Sequence, residues 1–510
     1  MFKKNLLMAV AVLAIAGSPL FTSSVVAGPQ KTEASDIKAF LYGLRPSVQY
    51  AGEKPVRWTL EERMKYYGVP GVSIAVIRDG KIAWARGFGV RAAGTTDKVD
   101  ADTVFSVGSL SKVPSAAISL RLVNAGRLDL DTDISPYLKR WKLPQNPYTG
   151  IAPVTLRGLL SHSAGMNLNN FPDFLPGEPT PTIVDTLNGT GPVKTGPLTI
   201  SYAPGHTWRY SGGGVEVEQL LIEDVTGLSF PQAAQTYVLG PLGMTRSTFV
   251  NPLPENYGDI AYAHDASGKR VALPRGYETF PEMAASGLWT TPTDYARFVI
   301  ALMDAYHAKP GAFLNPELGR ETMTETGVSP AGLGPFLSGA GMDRRFFHTG
   351  ANDHYRAWME GNLATGNGMM IFTNGANGSK LYAEIRRAIE DAEGWTKTEE
   401  ITLPRIQLGE DELKALAGVY AIKPMPDVIN QRTNMATAPV TFNIAVADGG
   451  LTLTEDDEGE PSILIPEDHV HFVYDGNISY GVEFVYGYDG KPSGLIFRRG
   501  PYSYEATRVK

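Results

Sequence analysis

What most constrains the fold of this chain is where its β-type runs fall. Val72 to Ile77 meets Arg78-Asp79-Gly80 and is followed by Lys81 to Phe88, the pattern of a hairpin closed by an Asp-Gly turn. Strand patterns then give way to helical ones and return around Phe346 to Glu360 and Gly368 to Thr373. Strand pairs at both ends of a long segment, with helices between, imply one sheet assembled from distant parts of the chain. The helices are marked by their period: Ser109 to Ala125, with Ile118 and Leu122 four apart and Gly126 placed to end it; Val217, Leu220, Leu221 and Val225, ended by Gly227; and Thr293 to Ala305. Ser379 to Ala392 closes the region, with Leu381, Ile385, Ile389 and Ala392 on one face.

After Trp395 the texture changes. Thr396 to Pro404 is a polar connector, and beyond Leu413 come short β-type runs at Val440 to Val446, Leu451 to Thr454, His469 to Tyr474, Gly481 to Tyr486 and Leu495 to Arg498. Asp448-Gly449-Gly450 and Asp489-Gly490 supply turns between them, and such a region makes a small all-β sandwich or barrel. At the other end, Lys3 and Lys4, the apolar run Leu6 to Ala16 and the Val25-Val26-Ala27 site have the form of a secretory leader over residues 1–27. That run is shorter than the roughly 20 apolar residues a membrane span needs. The expected division is therefore a leader at 1–27, a lead-in at 28–56, a large domain of mixed strands and helices at 57–395, a linker at 396–408 and a β-domain at 409–510. The expected protein is exported, periplasmic or secreted, with no stable membrane span after cleavage.

Composition removes whole classes of function. There is no cysteine, which excludes disulfides, thiol nucleophiles and cysteine-based metal centres. A net charge of −8 argues against a nucleic-acid partner, because neutralising phosphates requires a basic face.

Phe105-Ser-Val-Gly-Ser-Leu-Ser-Lys112 places Ser109 and Lys112 three residues apart at the expected start of a helix, on one face. A serine hydroxyl needs a base to become a nucleophile, and the positive end of a helix favours the neutral form of an amine. The same helix end presents free N–H groups suited to an oxyanion. By spacing alone S-x-x-K is common, so its neighbours decide.

Phe105 to Lys112 resembles the F-x-x-G-S-x-[ST]-K element of the serine β-lactamase and penicillin-binding superfamily. Leu159-Leu-Ser-His-Ser-Ala-Gly-Met166 resembles its L-L-S-H-T-S-G-L loop, and Pro204-Gly-His-Thr-Trp-Arg-Tyr-Ser-Gly-Gly-Gly214 its P-G-x-x-W-x-Y-S-N element. Pro241-Leu-Gly-Met244, Ala285-Ser-Gly-Leu288 with Thr291 and Asp294, and Phe347-His-Thr-Gly350 resemble three further motifs, in the family's order. The resembled branch is that of class C β-lactamases, D,D-peptidases, D-aminopeptidases and related carboxylesterases. It implies an α/β fold with an antiparallel sheet flanked by helices and a helix-rich subdomain carrying Tyr210. From Leu416-Ala-Gly-Val-Tyr420 onwards the chain resembles the lipocalin-like barrels appended to such enzymes, which would limit access to the cleft.

The resemblance implies roles residue by residue. Ser109 would form an acyl-enzyme, Lys112 and Tyr210 would share general-base and general-acid work, and His348 would stand where lysine is usual. Thr349 and Gly350 would line the substrate strand, and the backbone N–H groups of Ser109 and Ala351 would form the oxyanion hole. No metal or organic cofactor is implied. Gly212 replaces the family's asparagine, removing a side chain that would bond a substrate acylamide. His348 would keep only a partial, pH-dependent positive charge for a substrate carboxylate. Pro114 fits the first turn of a helix beginning near Ser111; otherwise it implies distortion.

Other features have plainer readings. His162 reads as a structural histidine bonding nearby backbone. His469 and His471 alternate as two metal ligands would but lack a third, and so read as barrel or surface residues. Gly212-Gly213-Gly214 lacks the rest of a phosphate loop. Trp208, Tyr210, Trp289 and Tyr355 fit either a core or an apolar substrate wall. The expected function is an exported serine hydrolase acting on amide bonds of short peptides, including those with D-residues. The alternatives are an esterase on small acyl esters, a β-lactamase or a non-catalytic binding relative.

Overall fold

The computed structural model describes residues 33–395, 400–422, 441–455, 461–475, 477–499 and 502–509. The leader read at residues 1–27 lies outside them. Strands β1 (Gly71–Arg78), β2 (Lys81–Gly89), β3 (Phe336–Ser338), β4 (Arg345–Ala351), β5 (Arg356–Asn362) and β6 (Gly368–Thr373) form one antiparallel sheet in the order β2-β1-β6-β5-β4-β3. The distant strand groups thus share a sheet, β1 and β6 pairing through Ile74 and Ile371. Asp79 and Gly80 both take positive φ, 51° and 70°, which suits the tight β1–β2 turn. The run Phe346 to Glu360 is two strands, divided by a turn over 352–355, and the short edge strand β3 carries no alternation that a sequence pattern could show.

Helices cover both faces. They are α1 (Glu33–Leu41), α2 (Leu60–Tyr67), α3 (Lys112–Asn124), α4 (Gly212–Thr226), α5 (Pro292–Tyr306) and α6 (Gly378–Glu393). Alternation along β1 sorts its side chains. Val72, Ile74 and Val76 pack with Phe40 of α1, Leu60 and Met64 of α2, and Leu381, Ile385 and Ile389 of α6. Ala75 and Ile77 join the larger core with α3, α4 and α5. β1 is buried along nearly its whole length because both of its faces are covered. The subdomain that carries α4 grows from this second face.

The lead-in and the linker are less passive than their polarity implies. Phe40 is fully buried, and Val48–Tyr50 pairs in parallel with Ile401–Leu403. Arg45, also fully buried, binds Asp391 of α6 at 2.6 Å. These contacts tie both flanks to the catalytic unit. The C-terminal region closes into an eight-stranded antiparallel barrel running from Gly418–Ile422 to Tyr502–Arg508, its first and last strands paired. Its core holds Tyr420, Phe442, Phe472 and Phe497.

Candidate active site

Ser109 sits in a 3-10 turn, Gly108–Ser111, that runs directly into α3 at Lys112. Side chains three apart eclipse in such a turn, and Lys112 Nζ lies 3.0 Å from Ser109 Oγ. Pro114 falls in the first turn of α3, so it costs no hydrogen bond there. The turn is locked from behind. Ser111 Oγ donates to Gly108 O at 2.6 Å and accepts Leu288 N–H at 2.9 Å, while Ser115 Oγ donates to Ala284 O at 3.0 Å. The short pairing of Phe105–Ser106 with Trp289–Thr290 brings the same 284–290 segment alongside. Lys112 Nζ gives its second bond to Ala285 O at 2.8 Å.

Close backbone approach explains two glycines. A Cβ on Gly350 would stand 1.9 Å from Val107 O, and one on Gly108, at φ 49°, would stand 2.7 Å from Ala351 O. Strand β4 can therefore lie against the nucleophile turn only with glycine at both positions. Gly350 serves packing behind the cavity, while Thr349 and Ala351 face it. Gly212 is likewise displaced from its expected place beside the substrate. It is buried beneath the Asn169–Phe171 segment, donating to Asn169 O at 3.0 Å, and a Cβ there would meet Asn169 O at 2.8 Å. Asn169 and Asn170 line the cavity in its stead, two amides that no motif pointed to.

Tyr210 precedes α4, whose N-cap is Ser211, its Oγ accepting Gly214 N–H at 3.0 Å. The Tyr210 ring centroid is 5.1 Å from Lys112 Nζ, 4.5 Å from the His162 ring and 6.1 Å from Phe336. His162 is structural: its carbonyl accepts Arg209 N–H at 2.9 Å and its Nδ1 accepts Ser211 N–H at 3.3 Å, fixing both neighbours of Tyr210. Of the aromatic residues in question, Trp208 and Tyr210 line the cavity, whereas Trp289 and Tyr355 are core.

His348 corrects an expectation. It is 1% exposed, its Nδ1–H donates to Thr349 O at 2.6 Å, and its buried Nε2 has no partner. Burial, with the charge of Lys112, pushes it down to about 3, so it is neutral near pH 7 and offers no positive charge to a carboxylate. Behind Lys112 lies a group the motifs did not reveal. Glu216 of α4, fully buried, accepts Ala285 N–H at 3.1 Å, while Ala285 O holds Lys112. Burial and the neighbouring Glu282 push the Glu216 carboxyl well above its ordinary range. Helical spacing had marked α4 only by its apolar residues.

The structure thus brings Ser109, Lys112, Tyr210, His348, Thr349 and Ala351 around one cavity of about 510 Å³. No described residue of the barrel lines it. His469 and His471 pair with Glu412 and Asp468, and no metal-holding cluster occurs among the described residues.

Fold and site together place a serine hydroxyl beside a lysine amine in the S-x-x-K arrangement. Residues 56–393 match the Beta-lactamase family model, and the chain belongs to that family. It is 23% identical over 327 residues to Protein flp of Staphylococcus aureus (strain MW2), covering 62% of this chain and 61% of that one. It is 28% identical over 265 residues to the unguisins hydrolase ungD of Aspergillus violaceofuscus, covering 48% and 44%. The chain therefore spans less than two-thirds of the length of these relatives. The octameric penicillin-binding protein homologue of Pyrococcus abyssi superposes with a TM-score of 0.57 at 20% identity, over 88% of this chain and 98% of that one.

Proposed function

We propose that this protein hydrolyses amide bonds of short peptides through an acyl-enzyme on Ser109. The observation that carries the reading is the 3.0 Å contact between Lys112 Nζ and Ser109 Oγ inside a cavity also faced by Tyr210. Ser109 Oγ attacks the carbonyl carbon, and Lys112 and Tyr210 between them take its proton and return one to the departing nitrogen. The N–H groups of Ser109 and Ala351 hold the oxyanion. Water then reverses the exchange and releases the acid. The size of the cavity favours short substrates, and Asn169 and Asn170 supply amides that can bond a peptide backbone. Esters of the same acyl groups would pass through the same steps.

Wild type and Ser109→Ala are to be assayed on D- and L-aminoacyl amides, short peptides, p-nitrophenyl esters and a chromogenic cephalosporin. Amide turnover that disappears in Ser109→Ala is expected; a covalent serine probe mapping to another residue would sink the mechanism. Rapid cephalosporin turnover with idle amides would make it a β-lactamase. The proposal includes export, supported by the leader-like residues 1–27; cell fractionation that leaves the full-length chain in the cytoplasm would refute it.

A further inference from the structure

The cavity is electrostatically lopsided. Among the described residues that line it, Lys112 is the one basic side chain outside His348, and its amine is already bonded to Ser109 Oγ and Ala285 O. His348 is neutral, so the wall offers no free cation to a substrate carboxylate. Two carboxylates, Asp173 and Asp353, line the same cavity. The hydrogen bonds of the basic groups around them go to other atoms, and only the charges of His354 and Arg356 act on the two carboxylates. His354 bonds Glu278; Arg356 is spent on the carbonyls of Asn352, Asp353 and Tyr355; and Lys194 binds Glu178 and the carbonyl of Asp173.

Unpartnered atoms mark the same place. Asp173 Oδ2 is buried without a hydrogen-bond partner, and Glu278, 3% exposed, leaves its Oε2 buried and unpartnered. Burial and the charges of Asp353 and Glu278 push the Asp173 carboxyl up to about 7, the condition that a bound cation relieves. His348 Nε2, also buried, lacks a donor as well. One unpartnered donor, Trp208 Nε1, lies on the cavity wall near Phe336.

Orientation follows from the reaction. Tyr210, which in the proposed reaction shares with Lys112 the return of a proton to the departing nitrogen, packs beside Phe336 and His348. Asp353 lies beyond Ala351, past the far end of β4. On the Ser109 peptidase reading, the acyl half of the substrate extends toward Asp173 and Asp353.

We propose that Asp173 and Asp353 form an ammonium subsite, so that the acyl group taken by Ser109 carries a free protonated amine, as in an aminoacyl amide or the N-terminal residue of a peptide. The orientation rests on the Ser109 peptidase reading; the affinity of the subsite does not. Binding is therefore to be measured by calorimetry at pH 7.5 on the full Ser109→Ala chain, with phenylalaninamide and N-acetylphenylalaninamide of either hand. The free amine should bind at least about tenfold more tightly, the loss expected when one charge-assisted contact is removed. That ratio should fall toward one in Asp173→Asn and in Asp353→Asn, the second an exposed position whose substitution leaves the fold intact. Equal binding, tighter binding of the acetylated amide, no binding of either, or a preference that survives both substitutions overturns the subsite. Turnover by the wild type reports separately: a preference without turnover sinks the peptidase reading alone, and turnover without a preference sinks the subsite alone.

Discussion

Glu216 touches Ala285 N–H, and Ala285 O touches Lys112, so one buried carboxyl sets the position of the lysine without meeting the substrate. Removing its oxygen leaves a buried N–H unsatisfied, a cost of about 1–3 kcal/mol. Glu216→Ala should lower kcat on a p-nitrophenyl ester by about tenfold or more, while Glu216→Gln, which keeps the acceptor, should retain most of it; equal losses would show that charge, not position, matters. His348 gives a second prediction. Its folded value, about 3, lies below the ordinary 6.5, so the unfolded chain binds the extra proton and stability contributed by the neutral ring is lost as pH falls from about 6.5 toward 3. His348→Gln lacks that loss. Thermal melts at pH 7 and pH 5 should show the variant gaining on the wild type as pH falls. Ser109, Lys112 and Tyr210 were legible because each stands in a contiguous motif. Glu216, Asn169 and Asp173 were not, because their importance comes from what faces them across the cavity.

Among the elements, the contact between the nucleophile turn and β4 is the tightest constraint. Gly350→Ala would press a methyl group to 1.9 Å from Val107 O, so the strand must retreat from Ser109. The expected result is a loss of activity of about a hundredfold with a lowered melting temperature, as a misplacement near 1 Å costs that much; wild-type rates would show that β4 moves without cost. Helix boundaries were largely readable from caps and glycines, as with α4 and its terminal Gly227. The edge strand β3 was not, since three residues carry too little alternation to register.

In the whole molecule, the barrel core shares no residue with either core of the catalytic unit. Phe497→Asp should therefore melt the barrel at lower temperature while Ser109-dependent ester turnover at 25 °C persists, checked by calorimetry beside the assay. One merged transition with lost activity would show that the two regions unfold together. By itself the sequence determined the family, the pairing of Ser109 with Lys112, and the division into an α/β unit and a β-domain, because these are written in local motifs, periodicity and turn residues. Only the tertiary structure decided that His348 is neutral, that Gly212 and Gly350 serve packing, that the lead-in joins the catalytic unit, and that carboxylates face the nucleophile's cavity. Burial, charge environment and close approach are properties of residues brought together from far along the chain, and no spacing within the sequence records them.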